Sequence, residues 1–250
     1  MINGLAVSTG MMHFTHGSPF DHAVIDGFLR PDVLLRIQEE WPQDDDPRWI
    51  TYHNALEDKK TCNKWDAFGP FTYQFFSKMC SLDVTRYFSA CVGVDLVPDY
   101  GLHGGGLHQH GEGGKNGAHL DYSIHPKMGL QRKLNIILYI AKPGLGGHFG
   151  LWADPDKLVK EVEPRVNRAV VFDTTQNSWH GLSRTVHTNG MNYRKSLAMY
   201  YLCEPPPDAP QNRRVLFGLT QEQKNDAMLQ EFVAKRCGVD TAKEVYRDRL

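Results

Sequence analysis

The chain has 250 residues and a formal net charge of -1, from 28 basic and 29 acidic side chains. That length buries a sizeable core without a metal or a disulfide, so a metal site in it would serve function rather than folding. The balanced charge sets up no long-range field toward nucleic acid or an anionic membrane, which leaves a small molecule or a local peptide as the expected partner.

Five cysteines (Cys62, Cys80, Cys91, Cys203 and Cys237) are odd in number and form no C-x-x-C pair. They argue against a disulfide framework or a zinc ribbon and for a reducing compartment. The N-terminus lacks a basic flank followed by an apolar run, and no stretch reaches the roughly 20 apolar residues a bilayer span needs. The chain reads as soluble and cytoplasmic.

Residues 1–20 are small, polar and irregular, and order is expected to begin at the short strand Ala23-Val24-Ile25, closed by Asp26-Gly27. Pro31 suits the first turn of a surface helix that runs to Glu40 and stops at Pro42. Residues 43–66 are charged and turn-rich. Residues 70–93 carry Phe71, Phe75, Met79, Leu82, Val84, Tyr87 and Phe88 at spacings of three and four, the pattern of helices packed on a sheet. This aromatic segment also offers a surface on which a homodimer could form.

From residue 94 the texture changes to short β-prone runs at 94–103, 118–124, 133–141, 147–152, 168–173, 180–187 and 193–203, separated by Gly, Pro and Asn. Such runs, with helical segments before and after them, predict a mainly β fold with flanking helices, a jelly-roll barrel that can hold a ligand inside. The expected organisation is an N-terminal strand with supporting helices over 1–93, a catalytic core over 94–204 and a helical extension over 205–250, all in one structural domain. In that extension Pro205-Pro206-Pro207 makes an extended exit and 220–236 has a helical pattern.

His119 and Asp121 stand two positions apart in Gly117-Ala118-His119-Leu120-Asp121-Tyr122, so strand periodicity points both side chains to one face. Two imidazoles and one carboxylate on one side of Fe(II) leave coordination positions open for substrates and oxygen. The third ligand is expected at His180, which opens a strand after the turn that follows Val170-Val171-Phe172-Asp173. An H-x-D pair is common by chance and carries little weight alone. In the strand Tyr193-Arg194-Lys195-Ser196-Leu197-Ala198-Met199-Tyr200-Tyr201, Arg194 and Ser196 share one face while Leu197 and Met199 share the other. A guanidinium on such a central strand needs an anionic partner, and no acidic residue is its neighbour in sequence. A dicarboxylate ligand fits, held by the planar fork with a hydroxyl two residues along.

Taken together, H-x-D, the distant His180 and the R-x-S strand resemble the 2-oxoglutarate/Fe(II)-dependent dioxygenase superfamily. The prolyl-hydroxylase-like branch looks nearest, on the strand Arg132-Lys133-Leu134-Asn135-Ile136-Ile137-Leu138-Tyr139-Ile140 followed by Gly146-Gly147-His148-Phe149-Gly150. The resemblance covers roughly 20–203. It departs from the branch at His148, where an acidic residue is usual, and in the longer interval from His180 to Arg194, taken up by the loop His187-Thr188-Asn189-Gly190.

The resemblance implies a double-stranded β-helix of cupin-like kind. It also implies Fe(II) on His119, Asp121 and His180, with 2-oxoglutarate and O2 as co-substrates. Arg194, Ser196, Asn135, Tyr139 and Gln109 would touch 2-oxoglutarate. The activity implied is hydroxylation of a small or amino-acid-like molecule through a ferryl oxidant, with release of succinate and CO2. The carboxylate of Asp121 speaks against halogenation, because halogenating relatives have a small residue there. Peptidyl proline hydroxylation, desaturation or cyclisation stay open, as do a zinc or manganese cupin enzyme that would not need Arg194 and a non-catalytic jelly roll that binds a small acid. The glycine-rich stretch Gly104–Gly117, with His108, His110, Glu112 and Lys115, is expected to be a loop at the substrate entrance.

Overall fold

A computed structural model describes residues 1–190 and 192–238; the last twelve positions of the expected C-terminal extension lie outside the described residues. Among the described residues fourteen strands form two facing antiparallel sheets. The strands are β1 (His22–Asp26), β2 (Ile50–His53), β3 (Glu57–Cys62), β4 (Val97–Pro98), β5 (Gly106–His110), β6 (Lys115–Asn116) and β7 (His119–Leu120), then β8 (Gln131–Ala141), β9 (Phe149–Asp154), β10 (Lys157–Val162), β11 (Arg168–Asp173), β12 (Trp179–Leu182), β13 (Arg194–Cys203) and β14 (Leu216–Phe217). The larger sheet runs β1-β11-β8-β13-β5-β3-β2, with β4 on β13 and β6 on β3, and the smaller runs β10-β9-β12-β7-β14. This is the expected jelly-roll arrangement, a double-stranded β-helix.

The period-two pattern of β8 explains how the layers stack. Leu134, Ile136, Leu138 and Ile140 face out of the barrel and join Leu197, Met199 and Tyr201 of β13 in one buried cluster. Four helices cover that face: α1 (Gly4–Met11), α2 (Pro31–Glu39), α3 (Pro70–Met79) and α4 (Leu82–Val92). They contribute Met11, Ile37, Phe75, Phe76, Met79 and Phe88 to the same cluster. On the opposite face Tyr139 packs with Phe149, Leu151, Val170 and Phe172 between the sheets. β13, flanked by β8 and β5, is central, as its two-sided pattern predicted.

Several local expectations are corrected. Residues 1–20 are not irregular throughout: α1 forms there, its N-terminus capped by Asn3, whose Oδ1 accepts from the Ala6 amide, and it buries Val7 and Met11. The charged stretch 43–66 contains the hairpin β2–β3, and the expected loop 104–117 contains β5 and β6. Sequence reading missed β3 because its Asp58, Lys59, Lys60 and Thr61 are only half-buried, so the period-two signal is polar on both faces. The runs 94–103, 118–124 and 180–187 shorten to β4, β7 and β12, and the final helix, α5, is Ala227–Cys237. Among the described residues no helix is long and apolar enough to cross a membrane.

Among the polar contacts that tie the helical layer to the barrel, Tyr201 Oη donates to the Met79 carbonyl at 2.7 Å. Tyr201→Phe is expected to cost about 1–2 kcal/mol, because it removes a buried hydrogen bond and orphans a helix-terminal carbonyl. A lowered thermal midpoint with unchanged metal binding would bear this out.

Candidate metal centre and adjoining cavity

β7 and β12 meet through a single register pair, His180 opposite His119, and this contact builds the site. It needs Gly181: a Cβ there would lie 2.6 Å from the carbonyl oxygens of both Asn116 and Gly117, closer than any side chain can approach. Each imidazole is aimed by its own backbone. His119 Nδ1 donates to Gly117 O and His180 Nδ1 donates to Ser178 O, both at 2.8 Å. A carbonyl can only accept, so both rings carry the proton on Nδ1 and present a bare Nε2.

The two Nε2 atoms face Asp121, at 3.9 Å from Oδ1 for His119 and 3.7 Å from Oδ2 for His180. Each of the three residues offers one ligand atom, and these atoms all lie within 4.8 Å of one another. Burial and then the neighbouring His180 push the His119 imidazole down to about 3, and burial lowers His180 too, against the pull of Asp121. Burial alone would raise the Asp121 carboxyl, but the Arg132 guanidinium and the two imidazoles bring it below the ordinary carboxylate range. The set is therefore two neutral imidazoles and one carboxylate, a donor set suited to a divalent transition metal with positions to spare.

Arg132 was missed by sequence reading. Its Nη1 lies 3.3 Å from Asp121 Oδ1, its Nη2 donates to His103 O at 2.7 Å, and its guanidinium is sandwiched between the rings of Tyr122 and Tyr200. Regular alternation would place Arg132 with Leu134 on the helix-covered face. A register shift at Lys133, where Tyr201 pairs Leu134 but Leu202 pairs Arg132, turns it inward instead. Such a bulge leaves no mark in the sequence. Asn135, a neighbour of this cluster, lies 3.4 Å from Asp121 Oδ2 through Nδ2.

A cavity of about 550 Å3 opens from the cluster between the two sheets. It is walled by the inward face of β5, β8 and β13, by the β2–β3 hairpin, and by residues 213–217 of the segment after the barrel. Arg194 and Ser196 line it, both almost fully buried. Arg194 Nε donates to Gly147 O at 2.8 Å, Nη2 to Tyr139 Oη at 3.3 Å, and Nη1 meets His110 Nδ1 at 3.5 Å. All three partners are neutral, and among the described residues no carboxylate pairs with Arg194. Gly147, at a φ of +63°, makes this close approach feasible, since a Cβ there would come within 2.8 Å of Arg194 Cδ. The hydroxyl of Ser196 and Nε2 of His110 are buried without a hydrogen-bond partner.

Gln109 is corrected. It shares the parity of Leu107 and so faces the helical layer, where Trp41 Nε1 donates to its Oε1 at 2.8 Å and its Nε2 donates to Asp44 Oδ1 at 2.7 Å. His108 and His110, one residue to either side, line the cavity instead. Glu112 is held away by His187 and Thr188, and neither Trp152 nor Trp179 lines the cavity.

Residues 105–202 match the sequence profile of the 2OG-Fe(II) oxygenase superfamily. No curated protein sequence matches the chain. Among solved structures, a Pseudomonas putida prolyl-4-hydroxylase is similar with a TM-score of 0.56 at 13% identity, over 80% of this chain and 100% of that one. A prolyl 4-hydroxylase from Phytophthora capsici is similar with a TM-score of 0.53 at 17% identity, over 95% of this chain and 78% of that one. HygX from Streptomyces hygroscopicus, solved with nickel, 2-oxoglutarate and hygromycin B bound, is similar with a TM-score of 0.53 at 12% identity, over 86% of this chain and 93% of that one.

Because Gly181 sets the distance between the two histidine-bearing strands, Gly181→Ala is expected to weaken Fe(II) or Mn(II) affinity about 10–100-fold, the loss typical of disturbing the surroundings of a metal ligand. Metal titration of the folded variant, with circular dichroism as the control, measures it. Wild-type affinity would show that β7 and β12 tolerate separation.

Proposed function

We propose that this chain, an Fe(II)- and 2-oxoglutarate-dependent oxygenase through residues 105–202, is a hydroxylase of a small molecule, with His119, Asp121 and His180 as the metal ligands. The observation that carries the reading is Arg194. It is a buried guanidinium with only neutral partners, in the same cavity as the three metal-ligating groups. A buried cation without an anion is costly, and a ligand carboxylate supplies the missing charge.

The unpartnered Ser196 hydroxyl gives that carboxylate a further donor, and so does His110. Arginine has no acceptor, so the contact with Arg194 marks His110 Nδ1 as the accepting atom and puts the proton on the orphaned Nε2. Burial first, and Arg194 second, hold this imidazole neutral, so it donates without adding a second charge. Tyr139 braces the guanidinium from the other side. The fit is of one fork, two hydroxyls and one imidazole to the far carboxylate of a dicarboxylate.

When bound, iron, 2-oxoglutarate and O2 supply the oxidising chemistry: one oxygen atom enters a substrate C–H bond, and the other leaves in succinate as CO2 is released. The protein's part is positional. Asp121 and the two Nε2 lone pairs fix the metal on one side, Arg194 fixes the orientation of the dicarboxylate, and the rings of Phe149 and Phe217 keep the wall beside His180 and His119 apolar. A small substrate is favoured because the cavity is roofed by the β2–β3 hairpin and by residues 213–217, and its volume is in the range of small-molecule sites.

The first test is succinate release from 2-oxoglutarate under air with Fe(II), followed by mass spectrometry for a product heavier by one oxygen. Asp121→Ala is expected to lower turnover by about 100-fold or more through loss of the metal. Arg194→Ala is expected to raise the KM for 2-oxoglutarate about 100-fold while metal affinity holds, from loss of charge-assisted hydrogen bonds. Wild-type affinity for 2-oxoglutarate in the Arg194 variant would overturn the cofactor assignment.

A further inference from the structure

His108 lines the cavity and is used neither by the metal-ligating set nor by the dicarboxylate site. It stands on β5 two residues before His110, so strand alternation turns both imidazoles to the same inward face. Its Nε2 is buried without a hydrogen-bond partner. A buried polar atom in that state costs free energy until a ligand or a water completes it.

The register of the larger sheet fixes what stands beside it. On β5, His110 pairs with Arg194, whereas His108 pairs with Ser196 on one side and with Thr61 of β3 on the other. Ser196, His108 and Thr61 therefore form a row across three neighbouring strands, and all three line the cavity. Directly opposed side chains on one face of a sheet have Cβ atoms about 5 Å apart, close enough for two of them to hold one ligand group. The row begins at the dicarboxylate site, where Ser196 is assigned above. It ends at Thr61, on the hairpin that roofs the cavity.

The chemistry of the ring narrows what it can take. Burial, and then the charges of Lys59 and Arg194, push the His108 imidazole down to about 3. It is uncharged at neutral pH and a poor general base, so its work is hydrogen bonding. The same two cations disfavour an ammonium group beside it, and a neutral ring gives a carboxylate no compensating charge. A neutral imidazole has one N–H and one lone pair, and a hydroxyl, which both donates and accepts, pairs with either. The Thr61 hydroxyl has the same double capacity.

We infer that the substrate carries a hydroxyl group, and that His108 Nε2 and the Thr61 hydroxyl bind it on the hairpin side of the co-substrate. The inference deepens the hydroxylase reading and rests on it. Two histidines of one strand face are thereby given different ligands. His110, opposite Arg194, serves the co-substrate, and His108, opposite Thr61, selects the substrate.

The test uses full-length protein loaded with Mn(II) and 2-oxoglutarate, titrated with benzyl alcohol and cyclohexanol and with the matched benzyl fluoride and fluorocyclohexane. Binding is read from the proton relaxation that Mn(II) induces in each probe. The expected result is saturable binding of one or both alcohols, with the matched fluoride at least ~10-fold weaker, because it leaves the buried nitrogen unpaired. In His108→Phe the alcohol affinity falls ~10-fold and the preference over the fluoride disappears, while 2-oxoglutarate affinity is unchanged. His108→Gln, which keeps a donor and an acceptor, retains part of the preference, as a merely structural role would not require. Thr61→Val, nearly isosteric, lowers the preference ~3-fold or more and serves if His108→Phe fails to fold. Alcohols that bind no better than the fluorides, or a preference that survives in the variants, would overturn the proposal, and so would a His108→Phe protein whose loss is in 2-oxoglutarate affinity. Failure of the wild type to bind 2-oxoglutarate removes the hydroxylase reading instead, and the substrate assignment with it.

Discussion

Asp121 is a carboxylate almost wholly removed from water, and the site is built around keeping it charged. Burial on its own would protonate it. The Arg132 guanidinium prevents this, and Arg132 is itself buried and is stabilised by two tyrosine rings and the His103 carbonyl. The two histidines then face an anion with their unprotonated nitrogens. Such an arrangement is incomplete without a cation among the three groups, because a buried carboxylate and two lone pairs converge on one point.

The two buried arginines divide the cavity between them. β8 and β13 run antiparallel, Ser196 opposite Tyr139 and Leu202 opposite Arg132. Arg194 thus sits toward one end of the ladder and Arg132 at the other, with Asn135 and Asp121 nearer the second. Their environments differ in the respect that matters: Arg132 has its carboxylate, and Arg194 has only neutral neighbours. The two arginines are told apart here by their partners, since both are equally buried.

Much of this could be read from the amino-acid sequence because strand periodicity is so regular. The inward face of β13 and both faces of β8 followed from counting by twos, and so did the convergence of His119 with Asp121. The failures have physical causes of two kinds. Gln109 was placed by its distance from His119, which ignores parity; counted by twos from Leu107, it belongs to the helical face, where Trp41 and Asp44 engage it. Arg132 obeys parity on paper and escapes it in the fold, because a register shift at Lys133 rotates it inward. Backbone irregularity of this sort is decided by pairing with a strand some seventy residues away in sequence, so no local pattern encodes it.

The polar hairpin β2–β3 and the strap 213–217 were hidden for a related reason. Segments that wall a wet cavity need no apolar stripe, and without one they read as loops. Glu57 of β3 sits between Lys59 and Arg236 of α5, with its carboxyl held down to about 2 against the cost of its burial. That ion-paired cluster joins the N-terminal hairpin to the C-terminal helix across the mouth. The barrel core carries His119, Asp121 and His180, whereas the segments on either side of it supply the roof and charged walls of the cavity.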